Sequence, residues 1–523
     1  MASSSQDQLP WVEELPDEEP RLIFRVPSNP LEYKGSWQDR PIGRNPLDGI
    51  TLSYYNNSKT MHNSNILQVI LRDHGFARVE RPGAEWNIFW CAGQVDPCEL
   101  PLMKPHQRVN KFPKANCLTL KANLWTNYLR MRRRFGADAF DFMPTTFLLP
   151  HQLSQLSEHI RASGDDGTDP KAVWIVKPAA AYCGRGISLH RSGPELPQQL
   201  LGEGQRGVAS RYLDRPFLLD GLKSDIRIYV LVTSWHPLTV YQYGEGLARF
   251  ATEPYTLDDI QGRCAHLTNY SLNKLSAGFV NDDSEASGSK WSLAAFKQRR
   301  TPECRGGRGE GAERSLPGDT LPPCRLLREV GEARASEVWR RVDDIVVKTM
   351  IGVESIMVEG MQEYLPSYAR GEPNRQCFQV FGFDVMLDSD AKPWLLEVNL
   401  DPALKTDSRL DLRVKSGMLV DLLNTIGVPV PPRGSGPAAG GTERPTAQQA
   451  ASGLPESGGS GPAQPEAEAL SQQECEMLRH VNAELRRSKQ GGWRRLFPSE
   501  RGGDYLDFFD ASRRRLHGLP YDV

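Results

Sequence analysis

The chain has 523 residues and a formal net charge of −2. That length allows a large core and two or three domains, and the balanced charge gives no whole-chain attraction to nucleic acid or to a membrane surface. Its nine cysteines include no Cys-x-x-Cys pair, so no zinc-finger spacing and no disulfide framework is visible, and reduced thiols are expected.

The start, Met1-Ala2-Ser3-Ser4-Ser5-Gln6-Asp7, is polar with acids downstream, which predicts no signal peptide. No 18-residue apolar run exists, so no membrane insertion is expected. Residues 1–50 are rich in Pro, Asp, Glu and Asn and read as a poorly ordered lead-in. Ile66 to Leu71 looks helical and stops near Gly75, and Trp86 to Cys91 looks like a strand. Together they predict a small N-terminal α/β domain over 51–140. Arg130-Met131-Arg132-Arg133-Arg134 and the arginines of the tail (Arg486-Arg487, Arg494-Arg495, Arg513 to Arg515) form basic clusters. Such clusters suit either an acidic partner or solvated helix faces.

Residues 141–430 read as central and C-terminal domains. Ala172 to Val176 is a buried-type strand. Ile226 to Val232 and Leu238 to Tyr243 are β-rich and joined by the turn Ser234-Trp235-His236-Pro237. Ser336 to Val353 has helical spacing, and Leu410 to Ile426 reads as an amphipathic helix ending before Gly427 and Pro429. Residues 300–325 are packed with Gly, Arg, Pro and Glu and predict a disordered insertion. Residues 431–467 are Pro, Gly, Ala and Ser, a flexible linker. Residues 468–523 read as a helical, basic tail whose 469–488 stretch is one docking or free amphipathic helix.

Chemistry concentrates in a few places. Phe381-Gly382-Phe383-Asp384 and Leu396-Glu397-Val398-Asn399 lie in two apolar runs separated by Asp388-Ser389-Asp390. Residues i and i+2 of a strand share a face, so Glu397 and Asn399 point together, and a hairpin would bring Asp384 opposite them. Three oxygen donors on one face suit Mg²⁺. They equally suit a half-buried hairpin with polar residues toward water. Lys177 stands at a strand end before Cys183-Gly184-Arg185-Gly186. A lysine and close-approach glycines fit a phosphate cover, although neither a Walker A loop nor Gly-x-Gly-x-x-Gly is completed. Lys223, Asp225 and Arg227 alternate and share one face. His266-Leu267-Thr268-Asn269-Tyr270-Ser271 is dense in short polar groups, fit for a turn or for an acidic substrate. Arg249 and Lys290 are lone cations.

The order of these segments resembles the tubulin tyrosine ligase-like family of ATP-grasp amino-acid ligases. The likeness runs from about Tyr54 to Val428 and includes Asn110-Lys111-Phe112-Pro113 and Leu118-Thr119-Leu120-Lys121. Leu124-Trp125, the Phe147-Leu148-Leu149-Pro150 exit and Trp394 to Asn399 resemble its polyglutamylase branch. The resemblance implies an α/β (α+β) ATP-grasp fold in which antiparallel sheets enclose the nucleotide. It implies that Asp384, Glu397 and Asn399 hold magnesium, with Arg227 and Glu397 central to catalysis. Lys177, Cys183, Gly184, Ser210, Arg211, Tyr212, Leu213, Lys223, Ser224, Asp225, Thr268 and Asn269 match nucleotide positions. Arg249, Tyr270, Ser271 and Lys290 match positions that hold the incoming amino acid. ATP and Mg²⁺ are the implied cofactors, and free glutamate and the acidic tails of tubulin the implied partners. The implied setting is a monomer in the cytoplasm at the cytoskeleton, with cilium, basal body and centriole as candidate sites. The implied reaction forms an acyl phosphate on an acceptor carboxylate, which the amine of glutamate then displaces. Glycine ligation, and a non-catalytic microtubule-binding protein with a degenerate site, are the rival readings. Ser210 stands where the hinge usually carries Gln or Glu, and Ser224 where Phe is usual. Asp401 replaces a common Ser, and Tyr182-Cys183 fits neither glutamylase loop pattern.

Overall fold

The computed structural model describes residues 12–13, 18–27, 42–43, 45, 47, 49–58, 65–80, 85–164, 172–179, 184–280, 288–297, 331–432 and 470–519. The expected insertion at 300–325, most of the expected linker at 431–467, and Cys183 lie outside them. The chain adopts the expected mixed α/β class. Among the described residues no helix is long and apolar enough to cross a membrane.

The first sheet is parallel, with Ala77–Val79, Ser53–Asn56, Ile88–Trp90 and Arg108–Val109 in that spatial order. Helix Asn65–Asp73 links two of its strands. It buries Ile66, Leu67, Ile70 and Leu71, an i, i+1, i+4, i+5 stripe that explains the helix. Gly75 follows it at φ +81°, where a Cβ would stand 2.8 Å from Asn45 Cα, so a side chain is excluded twice over. The lead-in is partly built into this region. Val12–Glu13 pairs with Arg21–Leu22, and Phe24 is buried in the same core.

The second sheet is antiparallel, in the order Thr146–Leu149, Gly207–Arg211, Val173–Pro178, Ser188–Arg191. Helices Leu153–Ala162 and Leu196–Gly202 close one face through Leu156, Ile160, Leu196 and Leu200, which pack on Trp174 and Val176.

The third sheet is the frame of the molecule. Its main path runs Lys290–Ser292, Leu238–Phe250, Leu222–Trp235, Gln379–Leu387, Pro393–Asn399. In the strand Leu222–Trp235, Ile226, Ile228, Val230 and Val232 join the core that contains Val346 and Met350 of helix Glu332–Ile351. Tyr229 and Leu231 join the core that contains Met418 and Leu422 of helix Arg409–Ile426. Both faces are covered, which is why this strand reads as a nearly unbroken apolar run. Each such fully buried side chain contributes about 1.5–3 kcal/mol. At one end the pattern gives way to Lys223, Asp225 and Arg227, and that end meets the second sheet.

The C-terminal stretch differs from a tail. Helix Gln472–Ser488 is held by a Ser471–Glu474 capping box and packs on helix Arg409–Ile426, with Arg487 Nε 2.9 Å from the Thr425 carbonyl. Trp493–Phe497 then pairs with residues 240–243 as a strand of the main sheet. Trp493 is buried against Tyr243, their ring centroids 5.0 Å apart. Two arginines in a five-residue strand hide its strand character, because only the Trp, Leu and Phe face inward.

Candidate active site

The functional end of the main sheet is built by strand register. Asp384 stands directly opposite Glu397 on one side and opposite Arg227 on the other, and Gly382 stands opposite Asn399. A register shift just after Asp384 marks a bulge at this point of the hairpin. Asn399 Nδ2 donates to the Gly382 carbonyl at 3.2 Å and reaches Asp384 Oδ2 at 3.4 Å. The three oxygen-bearing side chains therefore share one face, as the i, i+2 spacing predicts.

Two arginines converge on Asp384. Arg227 Nε and Nη2 lie 2.5 and 3.0 Å from its two oxygens, and Arg249 Nη2 lies 2.9 Å from Oδ2. Arg249 also forks onto Asp225, its cross-strand partner, at 2.7 and 2.5 Å. Burial pushes the Asp384 carboxyl up, but the two guanidiniums outweigh it and hold the group well below the usual carboxylate range.

The second sheet supplies the opposite wall. Between the two lies a cleft of about 830 Å³ lined by Lys177, Ser210, Arg211, Tyr212, Leu213, Lys223, Asp225, Thr268, Asn269, Asp384 and Glu397, with Ile175, Met386 and Leu395 as apolar lining. Lys177 ends the strand Val173–Pro178, and Ser210 and Arg211 end Gly207–Arg211. Ser210 Oγ is 2.8 Å from Thr146 Oγ1, so its hydroxyl is tied to the neighbouring strand. Lys223 Nζ donates to Tyr212 Oη at 2.7 Å and to the His266 carbonyl at 3.0 Å. Burial, with the Lys177 ammonium adding to it, pushes Lys223 down to about 7. Burial also lowers Lys177, against the pull of Glu397. An anion between these two cations would relieve their repulsion. Gly184, at φ +72°, sits where a Cβ would meet Asn269 Oδ1 at 2.8 Å. Arg263 Nη2 ties its carbonyl at 2.6 Å.

A second group of cations adjoins this cleft through Arg249. Lys290 is the cross-strand neighbour of Arg249 on the outer strand. Its Nζ donates to Asp411 Oδ2 at 2.5 Å and lies 4.0 Å from the Tyr270 ring centroid. Lys415 Nζ lies 2.8 Å from the other Asp411 oxygen. Burial raises the Asp411 carboxyl, but the two lysines outweigh it and lower it overall. Ser271 lies on the same short helix as Tyr270, Tyr270–Asn273, and does not line the cleft.

Ser224 is placed differently from the sequence expectation. It is buried between Lys223 and Asp225 on the strand and does not line the cleft, because alternate residues face opposite sides. Several residues of the site have no role assigned in the sequence reading. Lys121 reaches Glu397 at 3.9 Å. Its Leu118-Thr119-Leu120-Lys121 segment carries the family resemblance without a role of its own. His266 accepts or donates with Tyr212 Oη through Nδ1 at 2.9 Å. Asp411 and Lys415 stand one turn apart on helix Arg409–Ile426, an i, i+4 pair that its apolar pattern concealed.

The donor set fits magnesium by kind, since Asp384, Glu397 and Asn399 offer only hard oxygens. Asp384 meets this need under a condition. Its Oδ2 already accepts from Arg227, Arg249 and Asn399, whereas Oδ1 accepts from Arg227 alone, so Oδ1 is the oxygen with a lone pair left for a cation.

A cleft between two antiparallel sheets, with lysines on one wall and acids on the last hairpin, is an ATP-grasp-like architecture. The chain belongs to the tubulin-tyrosine ligase family, whose profile matches residues 100–307 and 322–436. It is 36% identical over 369 residues to tubulin polyglutamylase TTLL5 of Homo sapiens, covering 70% of this chain and 25% of that protein. To tubulin polyglutamylase TTLL6 of Mus musculus it is 35% identical over 342 residues, 65% of this chain and 36% of the other. To tubulin monoglutamylase TTLL4 of Homo sapiens it is 31% identical over 418 residues, 79% of this chain and 31% of the other. The chain thus spans about a quarter to a third of the length of these relatives.

Proposed function

We propose that this protein is an ATP-dependent ligase that adds glutamate to glutamate side chains of tubulin tails. The observation that carries the reading is the meeting of Lys177 and Lys223 with Asp384 and Glu397 across one cleft. Phosphate needs the first pair, and a phosphate-bridging cation needs the second.

In this reading the Ser210–Leu213 segment holds the adenine, and Lys177, Gly184, Lys223, Thr268 and Asn269 hold the phosphates. Asp384, Glu397 and Asn399 hold Mg²⁺, which when bound neutralises phosphate charge. An acceptor carboxylate oxygen attacks the γ-phosphorus, the bond to ADP breaks, and an acyl phosphate forms. The amine of free glutamate attacks the acyl carbon, loses a proton, and releases phosphate as the amide forms. Arg227, which does not itself line the cleft but forks onto Asp384 at its wall, stabilises negative charge as it develops. No nucleophile from the enzyme is required, so catalysis rests on placement and electrostatics.

Glutamate is favoured over glycine by the neighbouring cations. Arg249 and Lys290 stand side by side in register, with Lys415 behind them. A substrate with two carboxylates can use two cationic sites, whereas glycine has one carboxylate. The relatives' names support tubulin as acceptor, and with it the cytoskeleton as location.

Glu397→Gln is the test. Incubation with tubulin, ATP and labelled glutamate is expected to show incorporation lost by at least about 100-fold, with an unchanged circular dichroism spectrum. Near-normal incorporation would sink the reading. Labelled glycine in a parallel reaction separates the two amino acids.

A further inference from the structure

At the far turn of the hairpin formed by Leu222–Trp235 and Leu238–Phe250, two buried side chains and one half-buried one from distant parts of the chain point at one another. His236 sits in the turn between Leu222–Trp235 and Leu238–Phe250, Glu354 opens helix Glu354–Tyr364, and His517 ends the short helix Arg514–His517. Glu354 Oε1 lies 3.9 Å from His236 Nδ1 and 3.6 Å from His517 Nε2. All three atoms fall within 4.8 Å of one another. Each is buried and without a hydrogen-bond partner. The side chains of Glu354 and His517 are 3% and 0% exposed, and that of His236 is 23% exposed.

The spacing is informative. A direct hydrogen bond would draw these atoms to about 2.7–3.2 Å. A bridging water would hold them roughly 4.5 Å apart, two hydrogen-bond lengths at a tetrahedral angle. An ion with tetrahedral bonds of about 2.0–2.2 Å puts its ligands roughly 3.3–3.6 Å from each other. The 3.6 Å from Glu354 to His517 falls in that last range, and the 3.9 Å to His236 lies just above it and short of the water-bridged spacing. A pair of imidazoles and one carboxylate is a borderline donor set suited to zinc. The surroundings orient the ligands. Arg513 Nη1 holds the other Glu354 oxygen at 2.8 Å, and Phe509 stacks on His517 with centroids 3.9 Å apart.

We propose that His236, Glu354 and His517 form a zinc site that fastens the C-terminal segment to the turn of the catalytic sheet's long hairpin. This site lies about 30 Å from Arg227, nine residues along an extended strand, so it is separate from the magnesium ligands. One local contact opposes it. The Leu238 amide reaches His517 Nδ1 at 3.4 Å, and that nitrogen must carry the proton when Nε2 binds metal. The alternative occupant of the space is therefore a metal-free triad with the His517 Nε2 proton turned to Glu354.

The full chain, without a polyhistidine tag and purified without chelator, decides between them. Elemental analysis is expected to give about one zinc per chain. Stripping with dipicolinate is expected to lower Tm by several degrees, with recovery on ZnCl2 and none on MgCl2. Co²⁺ added to the stripped chain is expected to give visible ligand-field bands saturating at one equivalent. His236→Ala and His517→Ala should lose both the zinc and the bands while still binding a non-hydrolysable ATP analogue. Absence of zinc together with no cobalt bands and no change of Tm overturns the proposal, and so does zinc retained by both variants. Should the variants fail to fold, the cobalt titration of the native chain is decisive by itself.

Discussion

Arg249 Nη2 lies 2.9 Å from Asp384 Oδ2. This contact crosses the strand Leu222–Trp235 and joins two positions with different expected duties, one for the amino acid and one for the metal. Arg249 cannot give its full fork to a substrate carboxylate while it holds both Asp225 and Asp384. A substrate carboxylate must therefore draw Arg249 away from one of these two acids.

Arg249→Lys keeps the charge and loses the planar fork. The KM for glutamate is expected to rise by about 10- to 100-fold, some 1.4–2.7 kcal/mol, with affinity for an ATP analogue changed by less than about threefold. Steady-state kinetics and calorimetry read the two separately. Equal losses in both would mean that the residue serves the nucleotide site instead.

Lys223, pushed down to about 7 by burial and by Lys177, is partly neutral near physiological pH. Phosphate beside it favours the charged form, so nucleotide binding should take up a proton. Affinity for ATP analogues is expected to fall as pH rises above about 7. Calorimetry in buffers of different ionisation enthalpy measures the proton directly, and Lys223→Arg should abolish it. In the free protein the sign for stability follows from the same shift. The unfolded lysine binds its proton more tightly, so the group lowers stability at and below about pH 7. That penalty fades as pH rises from there toward the ordinary lysine range.

Asp411 is buried between Lys290 and Lys415. Asp411→Asn leaves two enclosed ammonium groups facing each other without their acid. A loss of about 3–5 kcal/mol is expected in urea unfolding, together with a raised KM for glutamate through a displaced Lys290. The lowered carboxyl contributes stability above the ordinary carboxylate range and loses it as pH falls through its folded value. The variant should therefore unfold with a flatter acid limb than the native chain. A change under about 1 kcal/mol would show that the pair is screened by solvent.

The hairpin that carries Asp384, Glu397 and Asn399 was legible in the sequence because its geometry is local. Two short strands, a tight turn and i, i+2 spacing suffice to bring Asp384 opposite Glu397 and Asn399. The helices at 65–73 and 409–426 were legible for a similar reason, since an apolar stripe and a terminal glycine act within a few residues. Residues such as Asp411 were not legible, because nothing near them in the chain announces Lys290. Ser224 was carried into the site by its neighbours in the motif, and strand alternation turns it away. The strand Trp493–Phe497 looked like basic tail because its value lies in pairing with residues 240–243, a contact that no local pattern reports.

Sequence by itself therefore determined the class of fold, the run of motifs and the oxygen donors on the last hairpin. Each depends on propensity and period, which operate over a few residues. Tertiary structure alone decided which charges meet: Arg249 with Asp225 and Asp384, Lys290 with Asp411, and His236 with Glu354 and His517. Those pairings follow from strand order and helix packing, which bring distant residues within a few ångströms. There the low dielectric of the interior makes each charge depend on its partner.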